Sequence, residues 1–158
     1  MQTSFIIRRF ESADLTQVME INRTCLPENY SSSFFMGIFQ RFPDSFVVAE
    51  EGGEVLGYAM CRVEHKFGFG LFGGGRRGHL ISIAVLPDFR LRGVASALMK
   101  EVMEALAGYD CEDVFLEVRV SNDAAVGFYR KLGFAAERMI RHYYADGEAA
   151  YVMTRKLP

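Results

Sequence analysis

Cysteine is scarce in this sequence: Cys25, Cys61 and Cys111 are the only three in 158 residues. They are odd in number and widely spaced, with neither a CxxC pair nor a zinc-ligand pattern. That excludes a disulfide framework and points to a reduced, cytoplasmic chain. A charge excess is also missing: the formal net charge is -2, so neither nucleic acid nor a membrane surface is an expected partner. No apolar run approaches the roughly 20 residues needed to cross a bilayer. The opening stretch MQTSFIIRRF lacks a signal-peptide layout, because its arginines follow the short apolar run. Repeats, low-complexity tracts and linkers are absent. What is present is 50% hydrophobic, enough for a sizeable core, and one domain over residues 1–158 is expected.

The stretch from His79 to Ala107 organises the rest. Leu80, Ile81, Ile83, Ala84 and Val85 form an apolar, β-branched run that reads as a strand buried on both faces. Pro87 ends it, because proline cannot donate to a sheet ladder. The turn Arg90-Leu91-Arg92-Gly93-Val94-Ala95-Ser96 follows. A helix then carries Val94, Leu98, Val102 and Leu106 on one stripe, with Ala95, Met99 and Met103 beside it. A strand, a basic glycine-containing turn and a helix start make an anion site. The first helical N–H groups lack intrahelical partners, Gly93 and Ala95 leave the backbone approachable, and Arg90 and Arg92 add charge. The same spacing also fits an ordinary crossover with surface arginines.

The remaining chain supplies more strands and helices. Phe5 to Phe10 reads as a strand, and Ser12 as the N-cap of a helix with Leu15, Val18, Met19 and Asn22 along one side. That helix ends near Leu26, since Pro27 disfavours helical geometry before it. A loop with Glu28 and Tyr30 leads to a second helix over Ser33 to Arg41. Its Phe34, Phe35, Ile38 and Phe39 are read as core. Strands Phe46–Glu50 and Val55–Val63 meet at the Gly52-Gly53 hairpin. Phe67 to Gly78 (FGFGLFGGGRRG) reads as a loop between strands, its phenylalanines available to a substrate groove; no GK[ST] follows it. Val114–Val120 is a strand whose Glu117 and Arg119 give one face something polar to meet. Ser121-Asn122-Asp123 caps a short helix with Ala125, Phe128, Tyr129 and Leu132, closed by Gly133. Phe134–Tyr144 and Ala149–Thr154 form a hairpin around Asp146-Gly147. The fold class is α/β: a mixed sheet with flanking helices and a parallel pair near its centre. Ligands bind such sheets beyond the C-terminal strand ends.

Arg90-x-x-Gly93-x-Ala95 after an apolar strand, Ser121-Asn122-x-x-Ala125, and Phe128-Tyr129-x-x-Leu132-Gly133-Phe134 together resemble the GNAT acetyltransferase superfamily. Leu26-Pro27-Glu28-Asn29-Tyr30, Ser82-Ile83-Ala84-Val85 and the run from Tyr143 to Tyr151 resemble catalytic subunits of protein N-terminal acetyltransferases, the archaeal single-chain type most of all. The resemblance implies acetyl-CoA as donor and central parallel strands that splay, with a bulge in the first of them. It places the pyrophosphate on Arg90, Leu91, Arg92, Gly93, Val94, Ala95 and Ser96, and the thioester arm on the backbone of Ile83, Ala84 and Val85. It also implies cofactor contacts from Asn122 and Tyr129, and Tyr30 and Tyr144 flanking a peptide. Two departures stand out. Leu91-Arg92 replaces a basic pair before the glycine, and Ala149-Ala150 replaces a small-residue–acid pair near the peptide.

Transfer of an acetyl group needs a neutral amine and a proton for the departing thiolate. An α-amine of pKa about 7.7–8.0 is about 10–20% neutral at pH 7, whereas a lysine of pKa about 10.4 is about 0.04% neutral. A protein N-terminus therefore needs only a modest base. His79, Glu117 and, by the resemblance of its loop, Glu28 are the candidates; by itself Glu28 reads as a solvated loop charge. His79 titrates in the useful range, and Glu117 is placed to face it across the splayed strands; no metal is expected to be required. Tyr129 is the candidate general acid by the resemblance. The preferred reading is a protein N-terminal α-acetyltransferase acting on protein or peptide N-termini. A ribosomal-protein or small-amine acetyltransferase, or a non-catalytic acyl-CoA-binding subunit, are the alternatives. A ribosome or an auxiliary subunit as further partner is left open.

Overall fold

The computed structural model describes residues 4–66 and 74–158. The phenylalanines of the glycine-rich segment, Phe67, Phe69 and Phe72, lie outside the described residues. Seven strands form one sheet in the order β1-β2-β3-β4-β5-β7-β6. They are β1 (Ile6–Arg9), β2 (Phe46–Glu51), β3 (Glu54–His65), β4 (Arg76–Val85), β5 (Cys111–Arg119), β6 (Ala135–Ile140) and β7 (Ala150–Lys156). The helices are α1 (Leu15–Cys25), α2 (Ser32–Arg41), α3 (Val94–Gly108) and α4 (Asp123–Lys131). Every strand pairing is antiparallel except β4 with β5, which α3 connects.

Both faces of the sheet are covered, so β2 is apolar and buried without interruption from Phe46 to Ala49. Phe46 and Val48 pack with Val18, Ile21, Phe35 and Ile38 on the face of α1 and α2. Val47 and Ala49 pack with Leu98, Val102 and Leu106 on the other face, under α3. The expected stripe on α3 is core throughout: Val94, Leu98, Val102 and Leu106 are all buried. Gly78 is needed where α3 crosses β4, because a Cβ there would stand 2.5 Å from Leu106 Cδ1.

Four expectations change. First, β4 begins at Arg76, so the connecting loop is shorter than the glycine pattern implied. Second, β4 is not buried on both faces: Leu80, Ser82 and Ala84 are buried, while His79, Ile81 and Ile83 are only half-buried along a cleft. Third, Ser12 does not cap α1. It begins a 3-10 turn, where the Asp14 carboxylate accepts from the Glu11 N–H at 2.8 Å and from Arg8 at 2.7 Å. Ser12 lies inside that turn, three residues before α1 begins at Leu15, so its hydroxyl is not at the N-cap position of α1, which Asp14 occupies without a side-chain hydrogen bond to the helix. Fourth, β6 stops at Ile140. His142 adopts a left-handed φ of 55°, which breaks the ladder and releases Tyr143 and Tyr144 into a loop.

Candidate active site

The site begins where the parallel pair comes apart. β4 pairs with β5 only from Arg76 to His79, against Cys111 to Phe115. From Leu80 onward β4 keeps only β3. On that side Met60 faces Ser82 and Cys61 faces Leu80, which leaves Ile81 as an unmatched bulge residue. The expected splay and bulge are both present. They open a cleft of about 740 Å³ lined by residues of β4, β5, α4 and two loops. Backbone groups that a neighbouring strand would have satisfied therefore face the cleft edge. Two of these carbonyls have side-chain partners: Tyr30 Oη donates to Ile81 O at 3.4 Å, and Arg90 Nε to Val85 O at 2.9 Å.

Beyond β4, Pro87–Phe89 forms a 3-10 turn and Gly93 opens α3 with a φ of 80°. Nothing lies within 4 Å of a Cβ placed on Gly93, so the backbone there is open to an approaching group. The free N–H groups of the first helical turn make this a natural anion cradle, and the residues present fit a diphosphate. The arginines are less free than expected. Arg90 turns back to Val85, while Arg92 pairs with Glu51 at 3.2 Å and lies over the Phe89 ring. Leu91 has a left-handed φ of 62° and a fully exposed side chain, and nothing in the fold engages it. Val94 belongs to the core, which leaves its backbone for a ligand. Asn122 caps α4, its Oδ1 accepting from Ala125 N at 3.2 Å, and borders the cleft with Tyr129.

His79 sits where the strands part. Its Nδ1 meets Glu64 Oε2 at 2.5 Å, and its Nε2 meets Glu117 Oε1 and Oε2 at 2.6 and 2.8 Å. The ring stacks on Phe115 with centroids 4.2 Å apart. Tyr143 Oη donates to Glu117 at 3.2 Å, and Arg62 Nε donates to Glu64 at 2.9 Å. The result is a row from Arg62 through Glu64, His79 and Glu117 to Tyr143. Burial alone raises the Glu64 carboxyl, but hydrogen bonds from Arg62 and His79 outweigh it and hold the group below its ordinary range. Burial and then the Glu117 charge push the Tyr143 phenol up to about 12, so it is a donor at neutral pH.

The far wall of the cleft is made by two loops, and Arg119 ties them together. It reaches Glu28 at 2.7 Å on the α1–α2 loop, and Asp146 at 2.8 Å and Glu148 at 3.0 Å on the β6–β7 loop. Its guanidinium also lies 4.1 Å from the centre of the Tyr144 ring. Glu28 is thus not loose in solvent: it is ion-paired along the wall of the cleft. Burial, then the Glu28 charge, push the Tyr144 phenol far up. Tyr30 stacks on Phe34, 4.8 Å between centroids, so Phe34 is cleft wall while Phe35 and Ile38 are core. Asn22, buried in α1, shapes the loop: Nδ2 donates to Glu28 O and Tyr58 Oη, each at 3.1 Å, and Oδ1 accepts from Tyr30 N at 3.3 Å. Tyr58 in turn meets Ser82 at 2.6 Å, which connects the loop to the open strand.

Tyr129 lies between the cleft and the core, and burial followed by neighbouring Cys61 raises its phenol strongly, so it keeps its proton. The structure therefore brings His79, Glu117, Tyr30, Tyr129, Tyr144 and Glu28 to one cleft. Arg62, Arg119 and Tyr143 join them in the lining, and Glu64, Asn22 and Tyr58 stand one contact behind; in the sequence Arg119 shows as a charge alternating with apolar residues on β5, and Tyr143 only as part of the run that carries the resemblance.

The chain resembles known proteins along nearly its full length. Residues 15–134 match the Acetyltransferase (GNAT) family. An N-alpha-acetyltransferase of Sulfurisphaera tokodaii is 45% identical over 156 residues, covering 96% of this chain and 92% of its own. Ard1 from Thermoplasma volcanium superposes with a TM-score of 0.87 at 31% identity over 99% of each chain. Naa20 of Chaetomium thermophilum, solved with a bisubstrate analogue, has a TM-score of 0.86 at 27% identity, over 96% of this chain and 86% of its own. With the splayed strand, the bulge and the open helix start all in place, this chain belongs to the GNAT acetyltransferase family.

Proposed function

We propose that this enzyme is a protein N-terminal α-acetyltransferase that takes acetyl from acetyl-CoA and passes it directly to a free α-amine. One observation carries the reading. The open backbone of β4 meets the His79–Glu117 pair in a cleft bordered by two tyrosine-bearing loops. The similarity to N-alpha-acetyltransferases supports the choice of acceptor.

Acetyl-CoA supplies an activated thioester carbonyl. The start of α3, from Gly93 to Ser96, would hold its diphosphate, with Arg90 and Arg92 bordering it. Ile83, Ala84 and Val85 would align the arm through backbone groups. Tyr30 and Tyr144 flank the incoming chain end, and the Arg119–Glu28 pair fixes how far apart they stand. The amine nitrogen bonds to the acetyl carbon as its proton leaves toward His79 and Glu117, directly or through water. The carbon–sulfur bond breaks, and Tyr129, which borders the cleft with its hydroxyl protonated, would donate to the departing sulfur. Positioning thus supplies most of the acceleration, and the base a smaller part of about 10²–10⁴-fold.

The enzyme works as a single domain in the cytoplasm, with a ribosome or an auxiliary subunit as an optional further partner; no helix among the described residues is long and apolar enough to cross a membrane. The test is acetylation of short peptides that vary the first two residues, beside an N-terminally blocked peptide with a free lysine. Acetylation of free α-amines and not of the blocked peptide is expected; preferential modification of lysine, or of polyamines offered in parallel, would refute the assignment.

A further inference from the structure

We infer that Glu64 is a positioning residue for His79, holding Nδ1 so that the proton taken from the acceptor amine enters on the Nε2–Glu117 side of the ring. The inference rests on the reading of His79 as a base. Arg62 and Glu64 are two residues apart on β3, so their side chains share one sheet face, and His79 is the register partner of Arg62. The same oxygen, Glu64 Oε2, takes Arg62 Nε at 2.9 Å and His79 Nδ1 at 2.5 Å. A carboxylate paired with Arg62 only accepts, so Nδ1 carries a hydrogen, and the proton exchanged in turnover lies on the other side of the ring, in the Nε2 contact with Glu117 at 2.6 and 2.8 Å. Nε2 is the nitrogen on the side of Glu117 and Tyr143, which border the cleft. Stacking on Phe115, itself covered by Arg77 at 4.4 Å, prevents the ring from turning away.

This arrangement also suits the ring after it has taken a proton. The imidazolium then donates from both nitrogens to two carboxylates already in place, Glu64 and Glu117, so no partner has to move. The charged and titratable groups around it are Arg62 and Glu64 from β3, Arg77 from β4, Glu117 from β5, Tyr143 from the β6–β7 loop and Tyr30 from the α1–α2 loop. Of these, Glu64 alone holds Nδ1. Arg62 acts one step further back, anchoring Glu64.

Two measurements test the proposal. Long-range proton–nitrogen correlation spectra of the full chain labelled at its three histidines, with His79 assigned by loss of its signals in His79→Gln, should show Nδ1 protonated at every pH where the enzyme turns over. The variant Glu64→Gln should lower kcat by about 10- to 100-fold with both KM values within about 2-fold, and Glu64→Asp should recover part of the loss. A neutral His79 protonated at Nε2 in the wild type would overturn the inference, as would Glu64→Gln with wild-type kcat or with a loss carried by KM. The wild-type spectrum decides even where the variant does not fold. Failure of the wild type to acetylate any α-amine would refute the assigned function, and the spectrum would still judge Glu64.

Discussion

The two halves of the cleft are built from different materials. On the function proposed above, the donor half is backbone: the unpaired edge of β4, a glycine in a left-handed turn, and the first N–H groups of α3. The acceptor half is side chains, held by Arg119 with three carboxylates, His79 between two more, and Asn22 bridging Tyr58 to the loop. The difference follows from what each must recognise. A diphosphate and an extended thioester arm present the same groups in every turnover, and main-chain amides at fixed spacing suit them. A chain end arrives as an amine of variable neighbours, and needs a proton acceptor and an entrance of set width. Those are side-chain properties.

Substitutions can break the comparison on either side. The largest effect is expected from His79→Ala, which should lower kcat by about 10²–10⁴-fold while acetyl-CoA still binds, read by steady-state kinetics beside calorimetry. Gly93→Ala should do the reverse. A methyl at a φ of 80° strains the turn and obstructs the approach to it, raising the KM for acetyl-CoA by roughly 10-fold with kcat nearly kept. Arg119→Ala should raise the peptide KM by about 5-fold and leave acetyl-CoA binding alone, because it unties Glu28, Asp146 and Glu148 from one another.

The smallest effect is on stability, and it sharpens the contrast. Burial raises the Glu64 carboxyl but its hydrogen bonds win, and Glu148 is lowered mainly by bonds from Ser121 and Arg119. Carboxylates with lowered folded values stabilise the protein above the unfolded value of about 4.3, and that contribution is lost as pH falls through the folded values. Melting temperature should therefore decline below about pH 4. The decline should be shallower in Arg119→Ala, which has already lost part of the acceptor-half network; an identical pH profile in both proteins would show that the network contributes no stability.

The same contrast explains what could be read in the sequence. The donor half was legible because strand, turn, Gly93 and helix lie within thirty residues and obey local rules of period and capping. The acceptor half depends on pairs far apart in the chain: Glu28 with Arg119, Asn22 with Tyr58, His79 with Glu117. No local pattern marks Asn22 as anything but a helical residue, and its buried amide becomes intelligible only once Tyr58, Glu28 and Tyr30 converge on it. Glu64 reads as a charge near a strand end until β4 brings His79 alongside. The arginines of the turn were assigned free charges because sequence offers no view of Val85 O, Glu51 or Phe89 as competing partners. The end of β6 at Ile140 is not visible in the sequence, because a left-handed histidine carries no signal of its own.

In the proposed mechanism the two halves act at once, with the amine attacking the thioester while both substrates occupy the open strand. Initial rates measured over a grid of acetyl-CoA and peptide concentrations test this most directly. Double-reciprocal lines that intersect are predicted. Parallel lines, with an acetyl group trapped on the cleft-lining Cys25 and detected by mass spectrometry before peptide is added, would contradict it.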